Sequence, residues 1–380
     1  QITIIFLILC NIFAPFEYLK SEENFKDDIR DNKFEKILKS DELVKIGLDN
    51  IDLKNYKNAI IFFNKASKID PTNGAAYFYK AFVKDIIGDF EGAIEDYSKA
   101  ININQTWLSF LNRGLTKTKI NDFKGSIFDF SQLLKLNPNY HQGFYLRGIS
   151  KQKTGDFKGS IIDFSKYLNL NGDNSNILFL RGFSKYSLKD FTGSIEDYSK
   201  ALKINPKYKE ALLNRGISKS ELGEYEGSID DFSKLIKLDP NQIDAYFFRG
   251  LSRNMVQEYE AAIKDFDLVI KNYPNDDAAL NARGLSKGAL NKFQDAIDDF
   301  NKAILINPKN KLAIENKIFY EDQKIKEKKF LISNKIIKLS EEIKKLEEKD
   351  DYENIIEKYK QIIELEKKDK RLSSFPYSVC

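Results

Sequence analysis

Residues 223–240, GEYEGSIDDFSKLIKLDP, predict a turn, a helix and a helix stop in succession. Gly223 can end a preceding helix, and the acidic residue after it opens the next one. Pro240 marks the end of that helix. Apolar residues recur at helical spacing between these two signals, at Tyr225, Ile229, Phe232, Leu235 and Ile236. The segment is therefore predicted to be an amphipathic helix with one buried stripe.

This pattern recurs along most of the chain. Its first aromatic residue returns every 34 residues, with one interval of 33, at Tyr56, Phe90, Phe123, Phe157, Phe191, Tyr225, Tyr259 and Phe293. Fifteen residues later a breaker position holds Pro71, Gln105, Pro138, Gly172, Pro206, Pro240, Pro274 and Pro308. The short interval falls around residues 105–107, where a loop has lost one residue. A fixed period of this length predicts a repeat architecture.

Small residues recur at two places in each repeat. The first set is Gly47, Ala81, Gly114, Gly148, Gly182, Gly216, Gly250 and Gly284. The second set, twelve residues further on, is Ala59, Ala93, Ser126, Ser160, Ser194, Ser228, Ala262 and Ala296. Small side chains at both places let two helices approach closely, so each repeat is predicted to be a helical hairpin.

The period, the small residues, the aromatics and the closing prolines together resemble the tetratricopeptide repeat family over residues 40–310. The resemblance implies an all-α fold, a right-handed α-solenoid or superhelix of helix–turn–helix hairpins. Its eight repeats would span 40–73, 74–106, 107–140, 141–174, 175–208, 209–242, 243–276 and 277–310. The first helices depart from the family pattern, because Arg and mostly Lys stand where the family has Leu and an aromatic residue.

A basic residue precedes the first small residue in seven repeats, and an aspartate follows it sixteen residues later. The predicted pairs are Lys80 with Asp96, Arg113 with Asp129, Arg147 with Asp163, Arg181 with Asp197, Arg215 with Asp231, Arg249 with Asp265 and Arg283 with Asp299. The first repeat lacks both partners, with Ile46 and Phe62. Joint replacement favours structural ion pairs between the two helices, since one partner alone would leave a partly buried charge. The alternative is that the arginines receive an anionic ligand.

The resemblance implies that a partner lies along the concave surface lined by first helices. The residues flanking the small positions there are Phe78, Phe82, Tyr145, Ile149, Phe179, Phe183, Tyr186, Leu213, Ile217, Phe247 and Leu251. They would form an apolar, aromatic groove for a peptide or protein. The alternative is that they pack one hairpin on the next. The family's clamp for C-terminal carboxylates uses Lys and Asn at positions that are Phe, Tyr and Leu here, so that ligand is not expected.

Both ends of the chain differ from the repeats. Residues 2–16 form an uncharged apolar run, which predicts a signal peptide or signal anchor at 1–18. The protein would then be exported or tethered to a membrane. If the run is not a signal, a cytoplasmic location is expected. A charged segment follows at 19–39. Residues 311–370 are expected to form a capping helix and a diverged helical hairpin, with a coiled-coil dimerisation arm as the alternative. Residues 371–380 are expected to be a disordered tail.

Composition argues for a scaffold without catalytic chemistry. The chain has a single histidine, His141, two distant cysteines, and no glycine-rich phosphate-binding motif, so neither a catalytic triad, a metal site nor a cofactor is expected. The net charge of +4 is small and dispersed, and nucleic acid is not the expected partner. The prediction is a non-enzymatic protein–protein interaction scaffold; the alternative is an RNA-binding helical-repeat protein.

Overall fold

The computed structural model describes residues 32–348 and 351–373 and is all-α in that part of the chain. No strand occurs there. The helices are α1 (Asn32–Asp52), α2 (Tyr56–Ile69), α3 (Gly74–Ile86), α4 (Phe90–Ile103), α5 (Trp107–Lys119), α6 (Phe123–Leu136), α7 (His141–Lys153), α8 (Phe157–Asn171), α9 (Ser175–Ser187), α10 (Phe191–Ile204), α11 (Lys209–Glu221), α12 (Tyr225–Leu238), α13 (Ile243–Met255), α14 (Tyr259–Asn272), α15 (Asp277–Ala289), α16 (Phe293–Ile306), α17 (Lys311–Glu347) and α18 (Tyr352–Ser373).

Consecutive helices pair into hairpins, and the predicted all-α architecture of tandem helix–turn–helix repeats is confirmed. The chain forms two compact units, Gln1–Asp173 and Asn174–Cys380. Unit 1 contains the hairpins from α1 to α8, and unit 2 contains those from α9 to α16 followed by α17 and α18. Within each unit, the second helix of one hairpin packs on the first helix of the next. Helix α1 begins at Asn32, ahead of the predicted repeat boundary at residue 40.

The second helices of unit 1 begin with a side-chain cap. The Asp89, Asp122 and Asp156 carboxylates accept hydrogen bonds of 2.9–3.0 Å from the backbone N–H three residues later, and Asp190 does the same in unit 2. Each cap satisfies one of the N–H groups that a helix start leaves free. Among the described residues, the later second helices α12, α14 and α16 start at Glu224, Glu258 and Lys292 with no such bond.

In seven of the eight repeat hairpins a glycine of the first helix lies against the buried aromatic ring of the second helix, and on α3 Ala81 takes this position. A Cβ on Gly114 would be 2.6 Å from Phe130 Cε1, and one on Gly216 would be 2.7 Å from Phe232 Cε1, so neither position tolerates a side chain without a shift. The Phe130 and Phe232 rings are fully buried. A residue without a large side chain lets the two helices come this close around a ring, which explains the recurring small position.

The predicted ion pairs lie between the two helices of their own hairpins. The seven Arg or Lys nitrogens are 2.5–2.9 Å from their aspartate oxygens, and every one of these aspartates is at most 2% exposed. The six arginines bind in a bidentate manner, with Nε donating to Oδ2 and Nη2 to Oδ1. Two parallel bonds fix the guanidinium plane and with it the register of the hairpin.

A second cation contacts each of these aspartates. The sequence pattern did not predict it as a partner. It lies one helical turn after the first, at 2.7–2.9 Å, and is Lys84, Lys117, Lys151, Lys185, Lys219, Arg253 or Lys287. The sequence signal was present, since this Lys is the residue by which the first helices depart from the family pattern. Each buried aspartate with its two cations is called an ion-pair cluster below.

The arginines also connect neighbouring hairpins within a unit. Arg113 Nη1 donates to Ser98 Oγ of the preceding hairpin at 2.9 Å, and Arg215 Nη1 donates to Ser199 Oγ at 3.0 Å. At the last of these clusters Asp267 replaces the serine and accepts from Arg283 Nη1 at 2.5 Å. One guanidinium group therefore fixes both the contact inside its hairpin and the contact to the hairpin before it.

The C-terminal region is more continuous than predicted. The expected cap and the first helix of the diverged hairpin are one 37-residue helix, α17. The first half of α17 packs on α16, where the Tyr320 ring stacks on the Phe300 ring with 5.6 Å between centroids. Helix α18 folds back on its second half, where Lys358 Nζ lies 2.6 Å from Glu342 Oε2. Helix α18 continues to Ser373, inside the predicted tail; the rest of that tail and the predicted segment 1–18 lie outside the described residues. None of the described helices is long and apolar enough to cross a membrane.

The close approach of Gly114 to Phe130 predicts that Gly114→Ala destabilises the protein. The free energy of unfolding should fall by about 1–3 kcal/mol, because the added methyl must push back a ring in a packed core. Gly74→Ala is the matched control, since a Cβ there would meet Ile103 Cγ2 at an ordinary 3.5 Å. That variant should change stability by less than about 1 kcal/mol in chemical denaturation. Equal effects of the two substitutions would contradict the packing argument.

The buried cluster at Asp231 predicts strong coupling between its members. Arg215→Met and Asp231→Asn should each cost about 3 kcal/mol, because each leaves a buried charge short of a partner. The double variant should cost at least about 1 kcal/mol less than the sum of the two, as measured by chemical denaturation of all four proteins.

The adjacent residue supplies the control for this cycle. Asp230 lies 2.6 Å from Lys234, at the same kind of distance, but both side chains are more than half exposed. Solvent screening should reduce the coupling of this pair to about 0.5 kcal/mol or less. A coupling at Arg215 and Asp231 as small as this one would show that the buried cluster does not hold the hairpin together.

Candidate partner-binding surface

The predicted groove residues all lie on first helices. Ten of the eleven are half-buried, and Phe183 is 39% exposed. They are Phe78 and Phe82 on α3, Tyr145 and Ile149 on α7, Phe179, Phe183 and Tyr186 on α9, Leu213 and Ile217 on α11, and Phe247 and Leu251 on α13. Their side chains are therefore neither core residues nor free surface residues.

The Phe78 and Phe179 rings lie partly in the cores of their hairpins. Phe78 lies 5.6 Å from Tyr97 and Phe179 lies 5.7 Å from Tyr198, measured between ring centroids, so both pack on the second helix of their own hairpin. Tyr186 instead lies 5.5 Å from Phe191, beside the turn that follows α9. Burial, together with the nearby Glu221 carboxylate, raises the pKa of Tyr186. These contacts agree with the packing interpretation for part of the set, and binding of a partner at these positions stays a prediction.

In unit 2 the half-buried apolar residues continue from one first helix to the next. Helices α9, α11 and α13 are neighbours, and each contributes an apolar pair. The unit 2 strip consists of Phe179, Phe183, Leu213, Ile217, Phe247 and Leu251. On α15 the corresponding position is Asn281, which is buried and accepts a 2.9 Å hydrogen bond from Asn316. Helix α17 therefore covers the end of the strip.

Unit 1 contains a cleft beside its apolar first-helix positions, which the sequence pattern did not predict. The cleft lies between α3, the end of α4 and the start of α5, and it has a volume of about 450 Å³. Phe78 is the predicted groove residue that lines it, together with Tyr79 and Ile103. Its position coincides with the 33-residue interval, and that irregularity was the available signal.

The described residues hold no arrangement for metal binding. No group of three or more His, Cys, Asp or Glu side chains is placed around a common point in residues 32–348 and 351–373. The His141 ring lies 5.3 Å from Tyr167 in an edge-on contact, so it packs among aromatic residues. The carboxylates at the ion-pair clusters are bound by their own cations.

Comparison with known proteins places the repeats in one family. Tetratricopeptide repeat matches cover residues 44–73, 175–208, 213–277 and 278–310. No curated protein shows significant sequence similarity to the chain.

Several solved structures are similar to parts of the chain. MamA is 22% identical, with 42% of this chain and 94% of MamA covered and a TM-score of 0.41. MamA from Desulfovibrio magneticus RS-1 is 16% identical, with 44% and 96% covered and a TM-score of 0.42. YrrB, described as a TPR protein with an unusual peptide-binding site, is 17% identical, with 59% and 98% covered and a TM-score of 0.39.

The repeat matches begin in the first hairpin of unit 1 and recur through the hairpins of unit 2. The described hairpins share the period, the close packing of a small residue on an aromatic ring and the helix pairing. On these grounds the chain belongs to the tetratricopeptide repeat family.

Proposed function

We propose that the protein is a non-catalytic interaction scaffold whose first-helix face binds a peptide or protein partner. The unit 2 strip carries this proposal, because it places six apolar side chains side by side on three neighbouring helices while leaving them partly exposed. Apolar surface that continues across several elements is typical of a binding site for another protein. The tetratricopeptide fold supports the same function.

The rings of the strip are well suited to anchor a partner. Phe179 is held between Tyr198 at 5.7 Å and Tyr208 at 5.2 Å, and Phe247 lies 6.1 Å from Phe266. A side chain already fixed by its own core loses little conformational freedom when a partner covers its remaining side. Fixed aromatic side chains in partly buried positions commonly contribute most of the binding energy at interfaces.

The same geometry argues against an RNA ligand. Binding to a phosphate backbone needs cations that are free to release their counterions. The arginines and lysines at the recurring first-helix positions are instead bound to buried aspartates at 2.5–2.9 Å. The anion-receptor alternative for these arginines is disfavoured for the same reason. The unit 2 strip itself contains only apolar side chains.

Phe183→Asp should weaken binding of the partner at least about tenfold, because it places a charge in the strip that a partner would have to bury. Phe183 is preferred to Phe179 since its ring is 39% exposed, and its loss leaves the contacts of Phe179 with Tyr198 and Tyr208 in place. The measurement is crosslinking and affinity capture from the native host, followed by titration of each identified partner.

Phe128→Asp is the matched control. Phe128 is 55% exposed but lies on α6, a second helix, outside the predicted face. This variant should capture the same partners with the same affinity as the unchanged protein. Equal affinity of every partner for the Phe183→Asp protein would remove the first-helix face as the binding surface.

A further inference from the structure

The cleft in unit 1 is the empty form of a place that aromatic side chains fill one hairpin later. There, Trp107 at the first position of α5 lies 5.2 Å from Tyr140, which precedes α7. The corresponding residues one repeat earlier are Gly74 at the first position of α3 and Thr106 immediately before α5. Two large aromatic residues are thus replaced by a glycine and a threonine at equivalent positions.

Close packing does not require these small residues. A Cβ on Gly74 would meet Ile103 Cγ2 at 3.5 Å and the Ala100 carbonyl oxygen at 3.8 Å, which are ordinary contacts. Gly74 therefore differs from Gly114, whose space is taken by a ring. Ala75, the next residue of α3, also lines the cleft and is also small. The cavity remains because the chain places little side-chain volume there.

The lining of the cleft determines what it can hold. Phe78 and Tyr79 meet edge to face at 5.3 Å in the lining, and Ile103 and Leu108 add aliphatic surface. Among the described residues that line it, none carries a charge at neutral pH. The Thr106 hydroxyl lies 2.8 Å from the Ser109 hydroxyl, so these two polar groups are already paired. The cleft exposes polar and apolar surface in similar amounts, with Thr72 and Asn104 also in its lining. An uncharged lining of this kind suits a ligand group that has a large flat surface and a hydrogen-bonding edge, as the Trp and Tyr side chains do.

The volume of the cleft and the equivalent place in the next hairpin indicate the same kind of ligand. About 450 Å³ is within the range of small-molecule sites and accommodates a large aromatic side chain with part of its peptide backbone. The chain itself demonstrates the fit, because a Trp and a Tyr occupy the equivalent place in the next hairpin.

We propose that this cleft binds a tryptophan or tyrosine side chain presented by a peptide segment of the partner. The proposal rests on the proposed scaffold function and locates one anchor of the partner within unit 1. The aromatic side chain enters between Gly74 and Thr106, covers Phe78 and Tyr79, and takes the place that Trp107 and Tyr140 hold one hairpin later.

The test uses the full chain with ¹³C-labelled isoleucine and leucine methyl groups, titrated with indole and with the peptide acetyl-Gly-Trp-Gly-amide. The Ile103 methyl signal should shift saturably with both probes, with an apparent Kd on the order of 1 mM for so small a ligand. Acetyl-Gly-Lys-Gly-amide should leave the signal unchanged. Absence of a saturable shift with indole and the Trp peptide would overturn the proposal.

Two variants with opposite effects make the assignment specific. Gly74→Trp fills the cleft from within and should weaken the Ile103 response at least about tenfold, whereas Gly74→Ala should retain it. Trp107→Gly combined with Tyr140→Thr opens the equivalent place, and the Leu136 methyl signal should then acquire a second response to indole. Unchanged probe binding by a folded Gly74→Trp protein contradicts the assignment.

The partner itself separates this proposal from the scaffold function. A partner whose binding is lost in Phe183→Asp should also bind at least about tenfold more weakly to Gly74→Trp, and an aromatic residue in its bound segment should be required. If that partner binds Gly74→Trp and Gly74→Ala equally, the scaffold function stands and the anchor in the cleft is refuted. If Phe183→Asp has no effect but Gly74→Trp abolishes binding, the cleft is supported as a binding site and the unit 2 strip is refuted.

Discussion

Each hairpin from α3–α4 to α15–α16 is organised around a buried aspartate held by two cations. Taking a carboxylate out of water is costly, and a single exposed partner contributes little in return. At Asp231, Arg215 supplies two parallel hydrogen bonds and Lys219 a third contact at 2.8 Å, while the carboxylate is fully buried. These contacts fix how the two helices align, so the helix register is set at each repeat. Apolar burial around the cluster supplies most of the stabilisation.

The same clusters hold the recurring basic residues of the first helices inside the fold. Their basic residues point between the helices of a hairpin, and their guanidinium groups extend to a serine of the hairpin before, as Arg147 does to Ser131 at 3.2 Å. The cations of the clusters are thereby taken up by contacts that define the fold. The apolar residues that stay partly exposed include Phe179 and Phe247, whose rings also pack on their own hairpins. In the proposed interaction a partner contacts the side of these rings that the hairpin core leaves open.

Most of the fold could be predicted from the sequence because each hairpin repeats one local pattern of small residue, aromatic and helix stop. The pairing of Arg215 with Asp231 followed from joint replacement in the first repeat. The third member, Lys219, was not predicted although its departure from the family pattern marked the position, because a lysine at an amphipathic position is equally consistent with solvent exposure. The cleft was not predicted because it arises from missing side-chain volume. Gly74 and Thr106 are ordinary residues in the sequence, and their small size matters only in comparison with Trp107 and Tyr140. The continuity of α17 depends on packing against α16 and α18, which local pattern does not reveal.

The uneven capping of the second helices has a consequence for motion. A side-chain cap contributes about 1 kcal/mol to a helix start, and α4, α6, α8 and α10 have one while α12, α14 and α16 do not. In a repeat array, local opening is governed by each repeat and its immediate neighbours. We therefore expect the first turns of the later second helices to exchange their amide hydrogens faster than those of the earlier ones.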